Sequence, residues 1–308
     1  MLALNAAGAT PINVMNGPRN WALTVRTRTH RVSLREDAHQ QRSPRMSPDS
    51  SRETIIEFRD VTYELPQTNA CTQGRLLRDL NFSVLRGETM VLLGRSGSGK
   101  TTALKLINRL REPSHGEVRV EGRSTIEWDP VALRRRIGYV IQEIGLFPHF
   151  TIERNVSLVP RLEAWPADRT RARVKELLNL VGLAPESFLE RYPHQLSGGQ
   201  RQRVGLARAL AADPAILLMD EPFGALDPLT RDEVRREFHA LQQRLGKTIV
   251  IVTHDVSEAL ILGTRIGLLE AGTLAGVYSP QEFLQSADPR SKAYVDHLPT
   301  RSRLEESL

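Results

Sequence analysis

The sequence predicts an α/β fold with a mostly parallel central sheet, and three observations carry that prediction. AILLM at 215–219 and TIVIV at 248–252 are short, wholly apolar runs of the length expected for buried strands. Each leads into a stretch of helical character, TRDEVRREFHALQQRLG after the first and VSEALILG after the second. Such alternation is the rhythm of parallel crossover units. A glycine-rich turn at 94–99 joins the apolar run MVLL to the helical stretch TTALKLINRL, again strand before helix.

The elements follow in order. Residues 1–52 lack sustained periodicity, are rich in Arg, Ser, Thr, Asn and Pro, and read as a basic, disordered leader. Two other readings stand beside it: translation starting at Met46, and a basic segment that touches anionic lipid. TIIEFRDVTYEL (54–65) alternates as a strand does, and QTNACTQG (67–74) is a polar loop. NFSVLRGETMVLLG (81–94) reads as two strands joined by a turn at Arg86-Gly87-Glu88, and EVRVEG (117–122) as another short strand. From about 145 to 212 the pattern turns helical, and RTRARVKELLNLVGL spaces Val174, Leu177, Leu178 and Val181 along one helix face. IGLLEAGTLAGVY (266–278) has the form of a hairpin around Ala271-Gly272. The expected organisation is a leader at 1–52, a folded domain at 53–285 with a helical subdomain near 145–212, and a tail at 286–308.

Composition narrows the function classes. A chain of 308 residues with 40% apolar and 25% charged residues can bury a substantial core. Cys71 is the sole cysteine, so no internal disulfide is possible; it reads as an inert thiol rather than a nucleophile. No apolar run approaches the ~20 residues that span a bilayer. The start lacks a basic segment followed by an apolar core, so no signal peptide is expected and the chain is expected to stay in the cytoplasm. Before residue 53, eight arginines face only Glu36, Asp37 and Asp49, an excess of five. That leaves one of the six net positive charges for the rest of the chain, a weak basis for nucleic-acid binding.

GRSGSGKTT at 94–102 matches G-x-x-x-x-G-K-[ST] through Gly94, Gly99, Lys100 and Thr101. Gly94, Gly97 and Gly99 let backbone N–H groups wrap phosphate oxygens, with Arg95, Ser96, Ser98 and Thr102 completing the loop. Lys100 can neutralise β and γ phosphates, and the Thr101 hydroxyl can ligate Mg²⁺. The competing reading is a flexible Gly/Ser turn. AILLMDEP (215–222) delivers Asp220 to a strand end as a Mg²⁺ holder and Glu221 beside it as the base for a lytic water, although Asp-Glu pairs also cap turns. TIVIVTHD (248–255) ends a third apolar strand at His254, which can hold the γ-phosphate, the water and Glu221 in register. Gln142 follows another apolar strand and can reach Mg²⁺ or the water; alone it is a surface glutamine.

LSGGQ (196–200) opens a second helix with glycines but carries no lysine. By itself it is a helix cap made by Ser197. Together, GRSGSGKTT, Gln142, LSGGQ, ILLMDEP, GALD (224–227) and His254 resemble the ATP-binding-cassette (ABC) ATPases in order and spacing over roughly 54–285, and LSGGQ is the most specific of these marks. The resemblance implies a P-loop NTPase cassette with a mostly parallel core sheet, an antiparallel β subdomain and an α-helical subdomain. It implies ATP and Mg²⁺ as bound species and a head-to-tail homodimer. Ser197, Gly198, Gly199 and Gln200 would then act in trans on ATP held by the partner's loop, and Asp227 would couple the two sites. A lysine-less cradle makes sense as half of a composite site. The chain departs from the family where an adenine-stacking aromatic is usual: that position is Leu65, with Tyr63 two residues earlier, either the stacking ring or a half-buried sheet tyrosine.

The stretches 134–165 and 219–238, notably IGLFPHFT and VPRLEAW, are similar to cassettes of glycine betaine/choline-type osmoprotectant importers. That similarity implies integral membrane permease subunits, an extracytoplasmic substrate-binding protein, and a place on the cytoplasmic face of the membrane. Many relatives carry a regulatory domain after the cassette, and with the chain ending at Leu308 none is expected here. Import of amino acids or other polar solutes is the alternative, and a soluble ABC ATPase of repair or translation a more distant one.

Overall fold

The computed structural model describes residues 53–65 and 74–298. The leader at 1–52, the loop at 66–73 with Cys71, and the end of the tail at 299–308 lie outside the described residues.

The first layer is an antiparallel sheet of β1 (Thr54–Glu64), β2 (Arg75–Leu85), β4 (His115–Val120) and β5 (Arg123–Ser124), in the order β2-β1-β4-β5. The second is a six-stranded sheet that includes β3 (Thr89–Leu93), β6 (Ile137–Val140), β7 (Ile216–Asp220), β8 (Thr248–Thr253), β9 (Arg265–Glu270) and β10 (Thr273–Tyr278), in the order β10-β9-β3-β8-β7-β6. Five of these strands run parallel, and β10 closes one edge antiparallel to β9. Every residue of β3, β7 and β8 is buried, which is why they read as unbroken apolar runs. The two strands read around Arg86-Gly87-Glu88 are present but do not pair as neighbours: β2 belongs to the first sheet and β3 to the second. The turn therefore steps between layers.

The helices are α1 (Lys100–Ile107), α2 (Pro130–Arg135), α3 (Ile152–Val156), α4 (Leu158–Leu162), α5 (Ala167–Leu180), α6 (Pro185–Phe188), α7 (Gly198–Ala209), α8 (Pro228–Leu245), α9 (Val256–Leu262), α10 (Pro280–Gln285) and α11 (Pro289–Val295). Five of them, α3 to α7, lie between β6 and β7 in sequence and form the helical region. On α5, Val174, Leu177 and Leu178 are fully buried, the face that the spacing predicts. One apolar cluster joins this helical region to α8, α9 and one side of the core sheet; a second joins the antiparallel sheet and α1 to the other side. After residue 285, Tyr294 and Val295 of α11 pack against the first cluster.

Candidate functional site

The carboxyl ends of β3, β6, β7 and β8 bring together Lys100, Thr101, Gln142, Asp220, Glu221 and His254. After β3 the chain turns through Gly94–Gly99 into α1. Gly99 has φ 101°, and a Cβ there would collide with Leu77 of β2, so both conformation and space demand glycine. Arg95, Ser96 and Gly97 are exposed, whereas Ser98 is buried and its Oγ has no hydrogen-bond partner. An orphaned hydroxyl inside such a loop fits a site that gains its partner from a ligand.

Lys100 is only 5% exposed, and its Nζ donates to the carbonyls of Gly94 at 2.8 Å and Arg95 at 3.0 Å. Burial lowers its pKa, opposed by the nearby Glu221 and Asp220 charges. The Thr101 hydroxyl donates to Asp220 Oδ1 at 2.8 Å across 119 residues of sequence. Asp220 is raised above the ordinary aspartate value, chiefly by burial. A hydroxyl and a carboxylate side by side are hard oxygen donors. Among the described residues no group of three or more His, Cys, Asp and Glu side chains could form an all-protein metal site. This donor set suits Mg²⁺, which keeps water and substrate phosphates as its remaining ligands.

Glu221 follows at φ 42°, its backbone N–H bonded to Val252 O at 2.9 Å. That left-handed backbone turns the carboxylate between two side chains from neighbouring strand ends. Gln142 Nε2 donates to Oε2 at 3.4 Å, and His254 Nδ1 lies 3.3 Å from Oε1. Strand order β8-β7-β6 makes this convergence possible, because Glu221 leaves the middle strand of the three.

Ser197 is the N-cap of α7. Its Oγ accepts from Gln200 N–H at 3.2 Å, and Gln200 Oε1 accepts from Ser197 N–H at 3.0 Å, a complete capping box. Ser197 is exposed, Gly199 is buried, and Gly198 and Gln200 are intermediate. Asp227 is the N-cap of α8, accepting from Thr230 N–H at 3.1 Å; hydrogen bonding from the Thr230 side chain first, and from its N–H second, lowers the carboxyl pKa. Tyr63 is 7% exposed within the core of the antiparallel layer, paired across the sheet with Leu77, while Leu65 is 50% exposed. Of its two readings, burial favours the sheet tyrosine, because a packed ring offers little open face for stacking.

Two contributors were missed. Tyr139 on β6 donates to Asp220 Oδ2 at 3.4 Å; alternation along that strand hints at its side but not at its partner. Glu258 is 4% exposed and accepts from Thr253 Oγ1 at 2.6 Å, just before His254. Asp255-x-x-Glu258 carries the spacing of a capping box, yet here Glu258 turns inward to Thr253, and Asp255 N–H donates to the same hydroxyl at 3.0 Å.

A family profile described as ABC transporter matches residues 77–224. The glycine betaine/carnitine/choline transport ATP-binding protein OpuCA of Bacillus subtilis (strain 168) is 51% identical over 233 residues, 76% of this chain and 60% of that protein. The glycine betaine uptake system ATP-binding protein YehX of Escherichia coli (strain K12) is 50% identical over 210 residues, 68% of each chain. Among solved structures, the ATP-binding cassette MJ0796, a dimer in a post-hydrolysis state bound to ADP and Pi, aligns with a TM-score of 0.65 and 34% identity, covering 73% of this chain and 99% of that one. The chain spans about 60% of the length of the first of these curated relatives.

Proposed function

The chain belongs to the ABC transporter family of ATP-binding proteins, and from that premise we propose that it is the ATP-hydrolysing, energy-coupling subunit of an importer for quaternary ammonium osmoprotectants such as glycine betaine or choline. One observation carries the catalytic half of this reading. The Glu221 carboxylate is held between Gln142 and His254, beside the Thr101–Asp220 pair and Lys100. The loop at 94–102 would wrap the phosphates of ATP with its N–H groups and the start of α1, and Lys100 would exchange its two carbonyl partners for phosphate oxygens. Thr101 and Asp220, with Gln142, would hold Mg²⁺, whose charge offsets that of the phosphates. Glu221 would take a proton from water as the water oxygen bonds to the γ-phosphorus and the bond to the β–γ bridging oxygen breaks, releasing ADP.

The exposed Ser197 end of α7 supports a composite site in which one subunit's cradle covers ATP held by another. The dimeric relative and the missing lysine point the same way. The names of the curated relatives support the osmoprotectant class. A separate permease would hold the subunit at the cytoplasmic face of the membrane, and a substrate-binding protein would deliver the solute. Among the described residues no helix is long and apolar enough to cross a membrane.

The catalytic reading is tested with Glu221→Gln. It should retain ATP binding, accumulate a closed dimer with ATP, and lose turnover by roughly 10²–10⁴-fold, the usual effect of losing a general base. Wild-type turnover in that variant would remove Glu221 from its role. Deleting the gene and following labelled glycine betaine or choline uptake at high salt tests the solute class; loss of amino-acid uptake instead would overturn it and leave the ATPase reading intact.

A further inference from the structure

The segment after Gln142 has an unusual backbone. Ile144 has φ 62° and Gly145 φ 56°, two consecutive residues in the left-handed region. Glycine adopts that conformation freely, but a β-branched residue rarely does, and it persists only where the surroundings enforce it. Here the enforcing groups come from α7. Arg208 Nη2 donates to Ile144 O and Nη1 to Gly145 O, each at 2.6 Å. These are short, charge-assisted bonds made by the planar fork of one guanidinium to two adjacent carbonyls. Burial lowers the Arg208 pKa, so the head group sits in a poorly solvated place where such bonds are strong.

Packing reinforces the clamp. The Ile144 side chain is 8% exposed, and a Cβ built on Gly205 of α7 would come within 2.9 Å of its Cγ2, so Gly205 is the notch that receives it. Further along, Asn155 of α3 is fully buried. It accepts from Phe147 N–H at 2.8 Å and donates to Phe147 O at 3.1 Å. The loop thus leaves the core sheet at Val140, presents Gln142 to Glu221, and is fastened to the helical region two residues later.

The other end of α7 is Ser197, the start of the lysine-less cradle. Arg208 lies eleven positions after Ser197, about 16 Å along a rigid helix. The geometry points to Arg208 as a positioning residue that locks the Gln142 loop to the signature helix, so that seating of Ser197 on a partner's nucleotide is felt at Gln142 in the same subunit. Ile144 is the stressed point of this latch: when α7 shifts against the core sheet, the two carbonyls must follow, and Gln142 moves relative to Glu221. This inference rests on the ATPase reading above.

The test uses the full chain with Arg208→Gln and the milder Arg208→Lys, which keeps the charge and loses the fork. Amide hydrogen exchange is measured without nucleotide. Exchange at residues 143–147 should accelerate by at least about tenfold in Arg208→Gln, while β7 and β8 stay protected. Unchanged exchange there would overturn the latch whether or not the protein hydrolyses ATP. ATP turnover is then measured in a double-mutant cycle with Gln142→Ala. In the wild-type background Arg208→Gln should lower kcat about tenfold with KM for ATP nearly unchanged, and in the Gln142→Ala background it should have no further effect. Multiplicative losses would make Arg208 a merely structural residue. Should Arg208→Gln not fold, Arg208→Lys takes its place in both measurements with the same outcomes. A wild-type protein without turnover would refute the ATPase reading alone, and the exchange result would still decide the latch.

Discussion

The start of α1 and the start of α7 are both glycine-flanked helix beginnings with backbone N–H groups free to face an anion, yet they are finished in opposite ways. The first has no side-chain cap; its N-cap is the left-handed Gly99, and its own Lys100 reaches back to the carbonyls of Gly94 and Arg95. The second is completed as a helix by the Ser197–Gln200 box and has no lysine; the cation there, Arg201, donates to the Leu196 carbonyl at 2.6 Å. One site therefore carries buried, desolvated charge that is costly to the fold and useful for chemistry. The other is satisfied as structure, and its serine is left exposed. Function concentrates strain on one side: Lys100 lowered, Asp220 and Glu258 raised, all three by burial first, and Glu221 at positive φ.

The largest effect that would break this comparison is on turnover. Lys100→Ala and Ser197→Arg should each lower ATP hydrolysis by at least ~10²-fold, the scale of losing a preorganised electrostatic partner. Mixing the two variants should restore activity, because the mixed dimer has one site with both lesions and one with neither. If the mixture is as dead as its components, the two cradles do not act across subunits.

A pH titration sharpens it next. Burial pushes the Glu258 carboxyl up to about 7 from an ordinary 4.5. Its neighbours include the Asp255 charge on its own helix start, which raises it, and Arg231 and Arg235 on α8, which lower it, with the Thr253 hydroxyl as donor. The folded state keeps a proton that the unfolded chain has released, so stability is fully present below pH 4.5 and is lost as pH rises through about 7. The loss amounts to at most about 3 kcal/mol. Glu258→Gln should flatten that decline in Tm between pH 5 and 8; an identical slope in the variant would show that Glu258 is not its source.

Smaller effects separate the helix starts as structures. Ser197→Ala should cost the fold about 1 kcal/mol in chemical denaturation, the usual value of a lost N-cap. Lys100→Met should cost nothing or raise the midpoint, since it replaces a desolvated cation with an apolar chain of similar length. A Lys100→Met protein that is markedly less stable would mean that the lysine is structural as well as chemical.

Much of this site was legible in the sequence because its parts are local. A phosphate loop, a carboxylate pair after an apolar run, and a serine-glycine cap are each specified within a few neighbouring residues. The contacts that tune the site are not local. Tyr139 meets Asp220 from 81 residues away, and Arg208 meets Ile144 from 64. Glu258 had the spacing of an ordinary cap, and only its packing shows the carboxyl turned inward. The step of β2 and β3 into different sheets was likewise invisible, since strands joined by a tight turn normally pair.

What the sequence determined by itself is the set of elements and the chemistry at their ends, because hydrophobic periodicity and short-range hydrogen bonding act over a few residues of chain. The tertiary structure decided the distances. Strand order β8-β7-β6 puts Glu221 between His254 and Gln142, and burial shifts Lys100, Asp220 and Glu258 away from their ordinary ionisation. Both depend on which surfaces pack together and exclude water, a long-range property that no stretch of residues states alone.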